Sequence, residues 1–423
     1  MGTNLNAIGN KMIDFMFNNK KVFNVSKMGA GKSRATLLTV KRLRAKTLIV
    51  APKTVALTTW PSEVTKWVPE LAVCQMAGLT PAKRTEALTE RAHIKIINYE
   101  LLKWFVENRQ ERFDLIVYDE STKLKSIKSQ MFKAAKKMAN VERTILLTGT
   151  PAPNSLLDLW SQIYLLDSGR RLGKTITAYR NRFFYDTSGM GWRYVLKDGA
   201  QEEIQDLIKD LSICIEPPAP SGLAVVDVPV ELPESVKTVY DKMKKTMVYD
   251  EDLNAMTAAT LVNKLQQIAT GNVYTENGEV RKLGSHKIDA LKSIVEHAGE
   301  NVVVVYQYKH QLADLQHNFP DAVNVKEPNA VDDWNAGNTP ILLMHSSAGH
   351  GLNLQHGGRI MIWLSVTYNL EHYAQTNARL HRRGQTKDVI IYRVLSEIDH
   401  TICKVLSGKD SIQQALLDHL KGD

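Results

Sequence analysis

Gly31-Lys32-Ser33, Asp119-Glu120 and the trio Gln375, Arg379 and Arg382 are residues whose types and spacing suit hydrolysis of a phosphate anhydride. The stretch VSKMGAGKS, Val25 to Ser33, ends as the phosphate-loop pattern G-x-x-x-x-G-K-[ST] ends, but Ser26 replaces its leading glycine. Glycines let backbone N–H groups close around phosphate oxygens at a helix N-terminus. The lysine then reaches the β- and γ-phosphates and the hydroxyl binds Mg2+. Taken alone, the broken pattern fits an ordinary strand–helix turn equally well. In LIVYDES a buried strand ends in the adjacent carboxylates Asp119 and Glu120, suited to a Mg2+ ligand and a water-orienting base. An isolated Asp-Glu reads as a solvated turn; with a phosphate loop upstream, the catalytic reading prevails. In QTNARLHRRGQ the spacing puts Gln375, Arg379 and Arg382 on one face of a helix closed by Gly384. That face reads either as a solvated basic stripe or as an arginine-finger surface. Thr148-Gly149-Thr150 by themselves read as turn residues after an apolar run.

The elements that must position these groups are legible as short apolar runs: KVFNVS, TLIVAP, IKIINY, DLIVYDE and RTILLTGTP, alternating with longer amphipathic segments. Runs that are apolar throughout indicate a parallel sheet with helices on both faces, and such sheets carry ligands at the loops where the runs stop. The proline-dense stretch 216–235 interrupts the rhythm and reads as a linker or edge crossing. A helical segment is expected over 236–270. NVVVVYQY, PILLMHSS, RIMIWLS and VIIYRVL then resume the strand–helix alternation. The expectation is an α/β chain of two domains, 1–216 and 236–423, joined by a linker over 217–235.

A net charge of +9 favours a polyanionic partner, and its cations are spread along the chain, as on a folded basic surface. Cys74, Cys214 and Cys403 lie far apart and form no C-x-x-C pair, which points away from a zinc site or disulfide framework and toward a reducing, cytoplasmic compartment. No apolar run approaches the roughly 20 residues that span a bilayer, and no signal pattern opens the chain. His345, His350 and His356 cluster near a glycine-rich loop, but their spacing supplies no converging metal geometry. His381 falls on another face from the arginines and, like Tyr368, reads as packing.

In order, MGAGKS, TLIVAPKTVALTTWPSEVTKW, INYELL, DESTKLKS, LLTGTPAPNSLLDLW, VVVVYQYKHQLADL, SSAGHGLNLQ and YNLEHYAQTNARLHRRGQ resemble the ordered motifs of the Snf/Swi branch of superfamily-two helicases, in a compact bacterial or phage form. The resemblance runs from about Val25 to Leu395, and eight motifs in order make it specific. In that family the leading loop position is often not glycine, so Ser26 is no obstacle.

The resemblance implies two RecA-like domains with an ATP-hydrolysing cleft between them, ATP and Mg2+ as cofactors, and sequence-independent contact with the backbone of duplex DNA. It implies nucleotide binding by Met28, Gly29, Ala30, Gly31, Lys32, Ser33 and Arg34, with Ser33 and Asp119 holding Mg2+. Glu120 acts on the attacking water, and Gln375, Arg379 and Arg382 complete the site. Nucleic-acid contacts are implied at Pro52, Lys53, Thr54, Asn98, Tyr99, Ser346, Ser347 and Asn353, and coupling at Thr148, Gly149, Thr150, Gly349 and Gly351. The family's Asp-Glu-Ala-His is here Asp119-Glu120-Ser121-Thr122, and Gly9 stands where an adenine-reading glutamine is expected. A duplex-DNA translocase is the leading expectation. The alternatives are a strand-separating DNA or RNA helicase and a catalytically idle DNA-binding clamp or loader subunit.

Overall fold

The computed structural model describes residues 2–109, 111–191, 193–217, 222–250, 252–348 and 351–421, without the side chains of 2–8, 254, 258, 259 and 421. Gly349, His350, Pro218 and Pro220 therefore lie outside the described residues. The chain divides into two compact units, Met1–Pro217 with Lys409–Asp423, and Pro218–Gly408.

The first unit is built on seven strands: β1 (Lys21–Asn24), β2 (Thr47–Ala51), β3 (Val73–Gln75), β4 (Ile94–Asn98), β5 (Leu115–Asp119), β6 (Arg143–Leu147) and β7 (Ser212–Ile213). Their order is β3-β4-β2-β5-β6-β1-β7, and every pairing is parallel. The all-apolar runs follow from burial on both faces. Leu48 and Val50 enter one core, Ile49 and Ala51 the other. The lysine inside IKIIN is no exception to burial: Lys95 is 0% exposed, and its ammonium meets the carbonyls of Ala87 at 2.9 Å and Leu88 at 2.7 Å and the Glu111 carboxylate at 2.9 Å. A buried charge is tolerated because it is paired and hydrogen-bonded.

The main sheet of the second unit has six strands: β8 (Leu223–Pro229), β9 (Val302–Tyr306), β10 (Val323–Asn324), β11 (Ile341–His345), β12 (Ile360–Trp363) and β13 (Val389–Leu395). They are ordered β8-β13-β12-β9-β11-β10, again all parallel. Val303 and Val305 pack into one core, Val302 and Val304 into the other. Beside this sheet the buried Lys287 ammonium meets the Asp399 carboxylate at 2.5 Å and the carbonyls of Val394 and Leu364 at 3.0 and 3.2 Å. Each unit is a parallel sheet flanked by helices, the α/β fold class expected from the sequence.

Three features differ from the sequence reading. The stretch 217–235, expected as a linker, contains β8, an edge strand pairing with β13 along its whole length. Its proline, Pro229, is tolerated at the strand's end on a sheet edge, where a missing donor is least costly. The helix expected over 236–270 is two helices, Glu234–Thr246 and Ala258–Ala269. Met247 in the left-handed region (φ 62°) stops the first, and a capping box at Thr257 starts the second. Finally, the helix Glu397–Lys421 ends with Leu416, Leu417 and Leu420 in a core of the first unit, so residues 409–423 group there rather than with 236–408. No helix among the described residues is long and apolar enough to cross a membrane. Cys74, Cys214 and Cys403 are buried and form no disulfide.

Candidate active site and nucleic-acid face

β1 ends at Asn24, and the chain turns through Val25–Gly31 into the helix Lys32–Leu43. The turn requires glycine at two places: Gly29 and Gly31 have φ of 79° and 82°, in the left-handed region. Ser26 is not in that region; it is buried, and its Oγ accepts the backbone N–H of Ile215 at 3.0 Å. The serine therefore ties the loop's first turn to the end of β7, which a glycine there could not do. Lys32 turns its ammonium inward, onto the carbonyls of Ser26 at 2.6 Å and Lys27 at 3.3 Å. No side chain caps the start of this helix, an arrangement whose first-turn N–H groups can bind an anion. Arg34 lies in the first turn of the same helix. Its guanidinium lies over the Trp67 ring, 4.3 Å from the centroid, a cation–π contact.

Register places the second motif opposite. Asp119 at the end of β5 is level with Leu147 of β6, and Leu147 is level with Asn24 of β1. At about 4.8 Å per strand, the Asp119 and Asn24 backbones are about 10 Å apart on one sheet edge. Trp60 Nε1 donates to Asp119 Oδ2 at 2.9 Å and the Glu120 N–H donates to Oδ1 at 3.1 Å. Burial pushes the Asp119 carboxyl up from the usual carboxylate range, while the Trp60 hydrogen bond and the Lys32 charge draw it back down. Glu120 itself is held in the left-handed region (φ 53°, ψ 58°), a strained conformation for a non-glycine residue.

Between these two motifs lies the third. Thr148 N–H donates to the Asn24 carbonyl at 3.0 Å, and Thr150 N–H to Thr148 Oγ1 at 3.0 Å. A Cβ added at Gly149 would meet Met28 Cγ at 3.2 Å, so this glycine allows the close approach of the phosphate loop. The unusual Ser121 is buried and donates to Gln162 Oε1 at 2.7 Å, and Gln162 donates to the Pro151 carbonyl at 2.8 Å. Gln162 thus joins the second motif to the third. Neither Gln162 nor Trp60 was singled out in the sequence: Trp60 opens a helix, and Gln162 lies in one that is buried almost all round. The one signal available was for Trp60, which lies in a motif stretch matched to the family, whereas Gln162 falls two residues beyond one. Gly9 sits in the helix Gly2–Asn18 with nothing near its Cα that a side chain would meet.

In the second unit the helix Leu370–Asn377 stops before either arginine. The expected single helical face of Gln375, Arg379 and Arg382 is therefore corrected to a helix end followed by turns. The residues still converge: Arg379 donates to the Gln375 carbonyl at 3.0 Å and to Leu352 O at 3.2 Å, and Arg382 donates to Leu352 O at 3.1 Å and to Asn353 Oδ1. Gln375 is buried, its amide near Glu371 Oε1 at 3.4 Å. Gly351, with φ 77°, makes the turn that presents Leu352.

The residues implied to touch nucleic acid divide by exposure. Lys53, Thr54, Ser347 and Asn353 are exposed, whereas Pro52, Asn98, Tyr99 and Ser346 are buried. Tyr99 Oη donates to the Asp119 carbonyl at 2.8 Å, Asn98 Nδ2 donates to Glu100 Oε2 at 2.6 Å, and Ser346 Oγ donates to Gln307 Oε1 at 2.9 Å. In this structure the polar atoms of these three side chains bond other groups of the same unit. His345 bonds Gln307 O and Ser347 Oγ, each at 2.8 Å, and His356 bonds Gln355 at 3.1 Å. Half-buried Tyr368 packs against the core of its unit. Among the described residues no group of three or more His, Cys, Asp or Glu could hold a metal ion. The chemistry of Ser33 and Asp119, one hydroxyl and one carboxylate, fits a Mg2+ that keeps most of its ligands as water and phosphate oxygen.

The model of the SNF2-related domain matches residues 9–284. Protein p41 of Acyrthosiphon pisum secondary endosymbiont phage 1 is 33% identical, over 93% of this chain and 94% of its own. An uncharacterized ATP-dependent helicase of Mycoplasma genitalium is 25% identical over 88% of this chain, which spans 37% of that protein's length. Among solved structures, the SWI2/SNF2 ATPase core of Sulfolobus solfataricus in complex with dsDNA aligns over 100% of this chain and 94% of its own, with 19% identity and a TM-score of 0.47.

Proposed function

The chain belongs to the family of the SNF2-related domain, and on that premise we propose that it is an ATP-hydrolysing translocase on duplex DNA. The observation that supports this reading is the level row Asn24–Leu147–Asp119, which brings the Gly31-Lys32-Ser33 turn and the Asp119-Glu120 pair to one sheet edge. The proposed reaction is ATP + H2O → ADP + phosphate. The N–H groups around Gly29 and Gly31 and the Lys32 ammonium bind and orient the phosphates. Ser33 and Asp119 are the residues that would hold Mg2+, which supplies positive charge against the phosphate oxygens when bound. Glu120, fixed by its strained turn, orients the attacking water and takes its proton. Arg379 and Arg382 stabilise charge on the transferred phosphoryl group, and removal of such an arginine costs on the order of a thousandfold in rate.

Lys53, Thr54, Ser347 and Asn353 are the side chains proposed to contact the DNA backbone. Such contacts position without reading sequence, so affinity falls steeply with added salt. The deciding experiment compares ATP turnover with no nucleic acid, single-stranded DNA, duplex DNA and RNA, alongside Lys32→Ala and Glu120→Gln. Duplex DNA is expected to stimulate most, and both variants to lose turnover. Stimulation by RNA alone overturns the DNA assignment, and undiminished hydrolysis by Lys32→Ala removes the site. Strand displacement in a fork assay would favour the helicase alternative.

A further inference from the structure

The segment between the exposed pair Lys53-Thr54 and the Asp119 carboxylate is short and irregular. From Val55 to Thr59 the backbone winds as a π-helix, and the Trp60 N–H closes it on the Val55 carbonyl, five residues back. One extra residue in a turn rotates the downstream helix by about 100°. Here the helix Trp60–Trp67 follows, and Trp60 is fully buried, with its indole N–H on Asp119 Oδ2 at 2.9 Å. The wide turn is supported from the sheet, since Gln75 Nε2 donates to the Leu57 carbonyl at 3.3 Å. A donor on one carboxylate oxygen fixes the rotation of the group, and with it the direction of the remaining lone pairs.

We propose that Trp60 is a positioning residue: through its indole N–H it sets the Asp119 carboxylate for the metal, and through the π-turn it makes that setting respond to whatever engages Lys53 and Thr54. This rests on the nucleotide and DNA reading above. Trp60 touches no reacting atom. A movement of the helical residues Lys53 and Thr54 is carried by one π-turn to an indole that cannot shift without pulling on Asp119. Packing at that position needs only an aromatic ring, whereas the hydrogen bond needs the indole.

The test is Trp60→Phe, which keeps a buried ring and removes the donor. Binding of a fluorescent ADP is titrated with Mg2+, and again in EDTA. The expected result is an unchanged affinity in EDTA, a roughly tenfold higher Mg2+ half-saturation, and a smaller stimulation of ATP turnover by duplex DNA. A Mg2+ dependence and a stimulation ratio equal to wild type overturn the proposal. Wild-type protein that binds no ADP in either condition overturns the nucleotide reading, and this proposal with it, a result distinct from the first. If Trp60→Phe does not fold, wild-type protein with nitrogen-labelled indoles is titrated instead. A protected indole N–H that shifts when Mg2+ joins the ADP complex supports the proposal, and indole signals that all stay fixed overturn it.

Discussion

Tyr99 Oη donates to the backbone carbonyl of Asp119 at 2.8 Å from a ring that is 2% exposed. The bond braces the chain one residue before Glu120 enters its left-handed conformation, so strain at the proposed water-orienting residue is held by a phenol 21 positions earlier. Tyr99→Phe is expected to cost about 1 kcal/mol of stability, seen as a lower urea midpoint. ATP turnover should fall on the order of tenfold through loosened positioning of Glu120. Duplex-DNA affinity should not change, and a weakened affinity would return Tyr99 to the nucleic-acid face.

Ser26 supports a different prediction, because the phosphate-loop pattern would have glycine there. Its backbone does not need glycine, and its Oγ satisfies the buried Ile215 N–H. Ser26→Gly should destabilise the protein by about 1–2 kcal/mol, from one lost hydrogen bond and added chain entropy. A denaturation midpoint at or above wild type would contradict this account.

Gly149 and Met28 make a paired prediction. The methyl group of Gly149→Ala would press on Met28 Cγ from 3.2 Å, and the flexible thioether chain would have to yield. Stability should drop by about 1 kcal/mol or less, while ADP affinity falls as the phosphate loop is displaced. Adding Met28→Ala should restore much of the affinity, which isothermal titration of the single and double variants would measure.

His310 makes the second unit sensitive to acid. Its ring stacks on Tyr308 with centroids 5.2 Å apart and meets Tyr274 edge-on at 5.0 Å, and burial pushes its pKa from 6.5 down to about 4. Between these values the unfolded chain binds the extra proton, so the contribution of neutral His310 is complete above about pH 6.5 and lost as pH falls toward 4. His286 is also depressed by burial and leaves a residual slope. Urea midpoints between pH 7 and pH 5 should fall less for His310→Phe than for wild type. Equal slopes would show that His310 does not titrate this way.

The chain by itself determined the two parallel sheets, the loop-to-helix turn at Gly31-Lys32-Ser33 and the carboxylate pair at a strand end. Each is written in contiguous residues: an apolar run marks a strand buried on both faces, and a glycine marks a backbone that needs positive φ. Family membership was legible for the same reason, as motifs in order. Only the tertiary structure decided which groups those motifs lean on. Ser26 is served by Ile215, 189 positions away, and Ser121 by Gln162. Asp119 is held by Trp60 through its side chain and by Tyr99 through its backbone carbonyl. The two arginines left their expected helix because the chain turns after Asn377, bringing both guanidinium groups to the Leu352 carbonyl. A hydrogen bond selects its partner by distance and direction once sheets and helices have packed, and residue order alone carries neither.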